Sequence, residues 1–350
     1  GIACDTAIVG ADNLGQSGSA YLFDATNGQQ LAQLLPDDGT AQDWFGRSVA
    51  TSDTTALVGA PTAILGGAAY LFDVETGEQT AKLLADDGAF GDRFGWSVGI
   101  AGPTAVVGAF LDDDNGTSSG SAYLFDATTG QQIAKLLPSD GAPGDRFGSS
   151  VAISGTMALV GAYSDDDQGT DSGSAYLFDV TTGQPVAKLL PNDGAAGDQF
   201  GWSVAISGSI AVVGAFSDDD NGSDSGSAYL FDVHTGQQIA KLLPSDGAAM
   251  DWFGSAVAIA GPTAMIGSLQ DDDNGANSGS AYVFEATTVP PCPADLDGDG
   301  VVGTADLLIM LPIPYEPCDD EPGCLGDIDG VGDVSVLDLL ALLAAWGACL

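Results

Sequence analysis

The chain has 350 residues, with 49 Asp and Glu against 7 Lys and Arg, a single His and a formal net charge of −42. A field of that sign repels nucleic acid and anionic membranes and draws in cations. Charge this lopsided often marks disorder, but 45% of the residues are hydrophobic, enough to build a packed core.

No apolar run reaches the ~18 residues of a membrane span, and no signal peptide is expected within these residues. The 50 Gly and 16 Pro suit many short strands joined by tight turns. From the first residues to about 285 the sequence repeats. The pentad AYLFD, or a close variant, starts at 20, 69, 122, 175, 228 and 281, and the frame D-x-F-G recurs with Phe-Gly at 45, 94, 147, 200 and 253. One unit, residues 92–144, contains four apolar segments, GWSVGIA, TAVVGAF, SAYLFD and QQIAKLLP. They are separated by the turn-forming stretches GPT, DDDNGTSSG and ATTG. Four strands in a unit of about 50 residues is the size of a β-propeller blade. The segment AYLF is continuously apolar, as a strand covered on both faces should be. In QQIAKLL, Gln132, Ala134 and Leu136 alternate with Ile133, Lys135 and Leu137. All four lysines, at 82, 135, 188 and 241, fall in this fourth segment, where they are expected to guard the open edge of each blade or simply to aid solubility.

The landmarks FGWSV and VVGAF resemble FG-GAP repeats, the units of integrin α-chain propellers and of many bacterial surface proteins. That resemblance implies an all-β propeller of four-stranded blades over 1–286. Six units are visible here, against the seven blades usual in the family. The first, GIACDTAIVGA, starts inside a first strand, and the last runs from AYVFEATT straight into VPPCPAD without a fourth. The expectation is either a fragment of a seven-bladed parent or six units that close alone.

The acidic loops are the most conspicuous chemistry. Calcium needs 6–8 oxygens at short range. In integrin-like repeats the resemblance places the metal loop between the first and second strands. Here that link reads AGPT, SGTM or SGSI and holds no carboxylate cluster. The Asp triplets instead join the second and third strands. Side chains alternate in extended chain, so only the outer two of each triplet can face together. These are Asp112 with Asp114, Asp165 with Asp167, Asp218 with Asp220, and Asp271 with Asp273. The first two units lack the triplet yet keep their strands. The triplets are therefore read as acidic hairpin turns, with a weak metal site as the alternative. The Asp of D-x-F-G is expected to cap backbone N–H groups in its loop. Phe147 and Trp202 are expected to pack between blades rather than to hold a ligand.

Residues 287–294 read as a linker. DLDGDGVVGTAD (295–306) then fits a calcium loop of the EF-hand type, with Asp295, Asp297 and Asp299 at positions 1, 3 and 5, the Val301 carbonyl at 7 and Asp306 at 12. A second copy, 327–338, offers Asp327, Asp329, Asp333, Ser335 and Asp338 but has Val331 at position 5, so weaker binding is expected. Each loop leads into an apolar helical segment, 304–311 and 335–347. Two such halves over 295–350 resemble a type I dockerin, a small helical calcium-loop module. The resemblance implies a calcium-dependent attachment to a cohesin-like protein through positions 10 and 11 of each loop. Those positions are Thr304 and Ala305, then Val336 and Leu337, of which only Thr304 matches the Ser/Thr preference of the family. Four of the five Cys lie between 292 and 349, which suggests disulfides and an oxidising compartment. Three pairings are open to them, and the dockerin resemblance favours Cys292 with Cys349 and Cys318 with Cys324.

The expected function is a secreted or cell-surface, non-catalytic adhesion or binding protein of a bacterium, with a protein partner or an extracellular carbohydrate or matrix ligand. The alternatives are a dockerin-bearing polysaccharide-degrading enzyme and a purely structural surface protein. An enzyme reading needs two placed carboxylates, and nearly all of the acidic residues repeat from unit to unit as structural residues do. His234 replaces a Thr of the other units, so no catalytic triad can be argued around it.

Overall fold

The computed structural model describes residues 1–286 apart from 4, 13–16, 64–65 and 274, together with the backbone of 301–302 and 347–348. The chain divides into two compact units, 1–286 and 287–350.

The first unit is a propeller of six antiparallel sheets, numbered here as blades one to six in chain order. Among the described residues, blades one to five each have four strands and blade six has three. In blade three the strands are Ser97–Ala101, Thr104–Ala109, Ser121–Asp126 and Gln132–Leu136. They fall inside the four apolar segments read from the sequence, and each pairs with the next. Blade one opens on the two-residue strand Ile2–Ala3, and blade six ends at Ser280–Glu285. First strands of neighbouring blades pack on one another, so they line the centre and the fourth strands lie outermost. Between the third and fourth strands the register shifts at one place in every complete blade, at Leu124/Phe125 in blade three.

The core lies between sheets. Along Ser121–Asp126, Tyr123 and Phe125 face blade two, packing with Leu57, Ala69 and Leu71. Ala122 and Leu124 face blade four, packing with Ala158, Val160, Tyr176 and Phe178. Two covered faces are the physical reason for the unbroken apolar run. At the two ends of the array the described residues leave one face more exposed. Val9 of blade one is 52% exposed and Val283 of blade six 64%, whereas Leu177 and Leu230, which match Val283 in blades four and five, are buried.

The two sequence landmarks meet at the seam between blades. Gly148, the glycine of Phe-Gly, donates its N–H to the Gly161 carbonyl of its own blade at 3.0 Å. Its carbonyl lies against Gly108, the Gly-Ala glycine of the previous blade, where a Cβ would come within 2.0 Å of that oxygen. Gly148 itself has a φ of +85°, and a Cβ there would meet the Ser121 carbonyl at 2.1 Å. Neither position can carry a side chain. Ser97 completes the joint by donating its hydroxyl to the Gly148 carbonyl at 2.8 Å. Ser48, Ser150 and Ser203 repeat this hook at the next blade's Phe-Gly carbonyl. Blade six has Ala256 at that place.

In the second unit, Val301–Val302 pairs antiparallel with Gly347–Ala348. The linker 287–294 and the helical segments expected at 304–311 and 335–347 lie outside the described residues, apart from Gly347 at the end of the latter. Among the described residues no helix is long and apolar enough to cross a membrane.

Candidate interaction surface

The Asp triplets, the residues that precede Phe-Gly and the ends of the second strands lie in loops at one end of the blades. Two sets of side chains there carry chemistry, and they are built differently.

The triplet Asp112–Asp114 forms a turn. The Gly116 N–H donates to the Asp113 carbonyl at 2.9 Å. Ser119 ties the loop, donating its hydroxyl to the Asp112 carbonyl and accepting the Asn115 N–H. Asp113 turns away and accepts the Ser118 N–H at 2.7 Å. Asp112 and Asp114 face together, as alternation requires, and between them lies an ammonium. Lys135 Nζ is 3.1 Å from Asp112, 2.5 Å from Asp114 and 2.7 Å from Asp87, which comes from the loop after the fourth strand of blade two. The Tyr123 hydroxyl, 2.9 Å from Asp112 and 3.0 Å from Asp87, completes the cluster. Blade four repeats it with Lys188, Asp140, Asp165 and Asp167, and blade five with Lys241, Asp193, Asp218 and Asp220. Blade two lacks the triplet, and there Lys82 meets Asp38 alone at 2.6 Å.

The lysines thus have partners beyond the edge role expected for them. Lys135, Lys188 and Lys241 fold over the strand edge, and each clamps three carboxylates from two blades. The cause is register: Lys135 stands opposite Tyr123, which directs its stem over the tyrosine ring, 5.1 Å from Nζ to the centroid. Electrostatics follow the geometry. Burial raises the Asp140 carboxyl, but the hydrogen bond and charge of Lys188 outweigh it and hold it below the usual range. Asp87 and Asp193 behave alike. Burial lowers Lys188 and Lys241, yet the carboxylates around them push both well above the ordinary lysine value. Among the described residues no group of three or more His, Cys, Asp or Glu is arranged to hold a metal ion.

The D-x-F-G loops form the second set. Asp145 accepts the Ala142 N–H at 2.6 Å, and Asp43, Asp92, Asp198 and Asp251 cap their loops in the same way, the capping role read from the sequence. Burial raises the Asp145 and Asp198 carboxyls to about 6. The residue after each Asp has a left-handed backbone: Trp44 (φ +57°), Arg93 (+64°), Arg146 (+60°), Gln199 (+56°) and Trp252 (+57°). Bulky residues at positive φ cost about 1–3 kcal/mol each and collect at functional sites. The twist lets Phe147 turn inward, fully buried, with its ring edge-on to Tyr176 at 5.4 Å and Phe178 at 5.8 Å. Phe147 thus packs between blades, as expected.

The same twist turns the preceding side chain outward, next to the residue after Phe-Gly and the residue that follows the second strand. Together they make a rim of aromatic and guanidinium groups. Arg47 lies over the Trp96 ring at 4.5 Å, and Trp96 packs on Phe110 at 4.6 Å. Arg93 lies over Trp44, while Arg146 lies over Tyr163 and donates to its hydroxyl. Tyr163 meets Trp202 at 4.9 Å, Trp202 meets Phe216 at 4.6 Å, and Phe216 meets Trp252 at 5.5 Å. Trp202 therefore bridges blades four and five, as expected of a packing residue, but it remains 39% exposed. This rim is not among the sites expected from the sequence. Its signal was present, since all three arginines fall within two residues of a Phe-Gly pair.

His234 lies in an exposed turn, its own N–H bonded to Asp232, away from both sets. Of the expected calcium ligands in the tail, only Val301 is described, as backbone in the short ladder. Asp295, Asp297, Asp299, Asp306, Asp327, Asp329, Asp333, Ser335 and Asp338 lie outside the described residues, as do Thr304, Ala305, Val336 and Leu337.

The FG-GAP repeat family model matches residues 29–72, 78–125, 131–178, 184–231 and 237–284, together about two thirds of the chain. No curated protein matches the chain. Among solved structures, a crystal structure of the computationally designed Ika8 protein is similar at 17% identity and a TM-score of 0.51, over 81% of this chain and 69% of the other. At that identity the likeness concerns fold alone.

Proposed function

The chain belongs to the FG-GAP repeat family, and from that premise we propose that it is a non-catalytic interaction protein of the cell exterior, with the propeller as its platform. The observation that carries this reading is the rim. Trp, Tyr and Arg are the residues that dominate protein interfaces, because they give a large rigid contact with a polar tip. Here they are stacked in advance, so little rotamer freedom is lost on contact. The three arginines are also local cationic points on a strongly anionic surface, which favours partners that offer carboxylates or aromatic faces. The raised Asp145 and Asp198 carboxyls would suit general-acid work. However, both are tied to loop amides in a motif that recurs in five loops, which supports a structural role.

The tail, 295–350, is proposed as a calcium-dependent attachment module of the dockerin kind, with a cohesin-like partner. The donor set Asp295, Asp297, Asp299, the Val301 carbonyl and Asp306 is all oxygen, as a hard cation requires. Calcium there would order the loop by drawing its carboxylates together. The clustered cysteines support secretion.

Two measurements test these readings. The full chain is passed over immobilised collagen, fibronectin and insoluble cellulose, beside a Trp96→Ala, Trp202→Ala, Trp252→Ala variant. Binding that the variant loses by tenfold or more supports the rim. Equal binding by both proteins, or no binding to any probe, refutes it. Calorimetric titration with calcium should show one fewer site in an Asp297→Asn, Asp299→Asn variant; an unchanged stoichiometry refutes the tail assignment.

A further inference from the structure

Blade six retains the three carboxylates of the lysine clamp without a lysine. Asp246, Asp271 and Asp273 correspond to Asp193, Asp218 and Asp220 of the previous blade, one repeat earlier. Tyr282 matches Tyr229, and its hydroxyl lies 3.0 Å from Asp246 and 2.7 Å from Asp271. The Asp273 N–H is bonded to Asp271 at 2.9 Å, as the equivalent amides are in blades three to five. Asp271 is buried, at 3% exposure. One hydroxyl proton cannot serve two carboxylates at once, and the ammonium that solves this elsewhere has no counterpart among the described residues. The position one repeat beyond Lys241 is Ala294, and from 242 to 350 the sequence holds no Lys, Arg or His. The Asp273 carboxyl is accordingly raised by the neighbouring charges of Asp271 and Asp246.

A second, independent feature lies beside the cluster. Among the described residues the third strand of blade six, Ser280–Glu285, pairs only with the strand before it. In blades three to five the opposite edge of that strand carries the fourth strand, and the fourth strand carries the lysine. Backbone edge and charge cluster therefore specify the same missing piece. Blade six has also lost the serine hook for a following blade, at Ala256, yet it keeps all the acceptors of the clamp.

We propose that blade six is an acceptor for an extended, lysine-bearing strand of a partner molecule, bound by β-augmentation of Ser280–Glu285 with its ammonium seated among Asp246, Asp271 and Asp273. Main-chain hydrogen bonds along the edge supply affinity, and the clamp supplies specificity and register. The frame of the occupant is set by the sister blades. Lys241 and Leu242 stand opposite Tyr229 and Ala228, so the incoming lysine stands opposite Tyr282 and an apolar residue after it opposite Ala281. Arginine is too broad and planar for a pocket closed at 2.5–3.1 Å around one nitrogen in the sister blades.

The test is fluorescence anisotropy of a labelled peptide with the sequence of residues 237–244, QQIAKLLP, titrated with the full chain at low salt. Saturable binding is expected. It should weaken at least tenfold when the peptide lysine is replaced by glutamine, and likewise when the chain carries Asp246→Asn and Asp273→Asn. Asp193→Asn with Asp220→Asn, in a blade that holds its own lysine, should leave it unchanged. Circular dichroism shows that each variant is folded. Absence of saturable binding overturns the proposal, as does equal binding of the glutamine peptide. Calcium that displaces the peptide and is lost in the Asp246→Asn, Asp273→Asn variant would also overturn it, making the cluster a metal site.

Discussion

Replacing Lys188 by Met tests the clamp directly. Met keeps most of the stem that lies over Tyr176 and removes only the charge. The ammonium has three partners at 2.5–3.0 Å, of which the Asp165 side chain is 5% exposed and the other two are nearly half exposed. Breaking a buried pair by removing one member costs about 3–5 kcal/mol, because a charge is left without compensation. Asp165 keeps the Tyr176 hydroxyl and the Asp167 N–H, at 2.8 and 3.0 Å. The low end therefore applies, about 3 kcal/mol. Lys82→Met is the control, since its one partner, Asp38, is more than half exposed, and such pairs contribute about 0–1 kcal/mol. Repeat arrays need not unfold in one step, so amide exchange of the third strand of each blade is a better assay than a global melt. In Lys188→Met, exchange in Ser174–Asp179 should speed up by about a hundredfold, and that in Ala68–Asp73 of Lys82→Met by less than about fivefold. Equal effects in the two blades would show that the clamp is ordinary surface charge, and the reasoning would fail.

Phe147→Ala removes a fully buried ring from the seam between blades three and four and should cost about 3–5 kcal/mol in urea unfolding, against less than about 1 kcal/mol for the half-exposed Trp202→Ala. Gly148→Ala forces a Cβ into the Ser121 carbonyl and should prevent soluble expression or lower the urea midpoint more than Phe147→Ala does. Stability should also depend on pH in two opposite ways. Asp145 and Asp198 have folded values of about 6, so the folded chain binds more protons than the unfolded chain between about 4 and 6. Urea midpoints should rise as the pH falls through that window. Below it, Asp87, Asp140 and Asp193, held low by their lysines, become protonated and the clamps are lost, so the midpoints should fall again. A monotonic decline from pH 7 downward would contradict the burial-driven shifts.

The blade architecture was legible in the sequence because it is periodic and local. Strand segments such as SAYLFD are apolar for a reason that one unit displays, and the capping aspartate acts within its own loop. The clamp was not legible, because its members come from distant parts of the chain. Asp87 and Lys135 are 48 residues apart in sequence, and they meet only once two sheets are stacked and the fourth strand has settled opposite Tyr123. Read unit by unit, the lysine is an edge charge and the triplet a turn. Read by phase, the pairs Asp87 and Lys135, Asp140 and Lys188, and Asp193 and Lys241 share one interval, the sequence signal that the unit-by-unit reading passes over. The proposed calcium loops of the tail raise the opposite case: their candidate ligands are contiguous, so the proposal rests on the sequence alone, and the described residues add only the pairing of Val301–Val302 with Gly347–Ala348.

The distribution of cations gives the two sets of loop residues a common logic. Seven cationic side chains serve a chain of net charge −42, and none is placed at random. The four lysines go to carboxylates, three of them to clusters with a buried aspartate. The three arginines go to aromatic rings on the rim. The choice follows the chemistry of each group. A compact ammonium can be surrounded by three oxygens, whereas a planar guanidinium stacks and still leaves N–H groups facing outward. Lysine is thus spent on cohesion between blades and arginine on display. In blade six that division breaks down: the acceptors Asp246, Asp271 and Asp273 are built, residues 242–350 hold no Lys, Arg or His, and Ala256 stands in place of the serine hook. A blade that merely ended the array would have no use for three like charges around one tyrosine, where the uncompensated repulsion is a cost. Their retention is best accounted for by an occupant that brings its own ammonium.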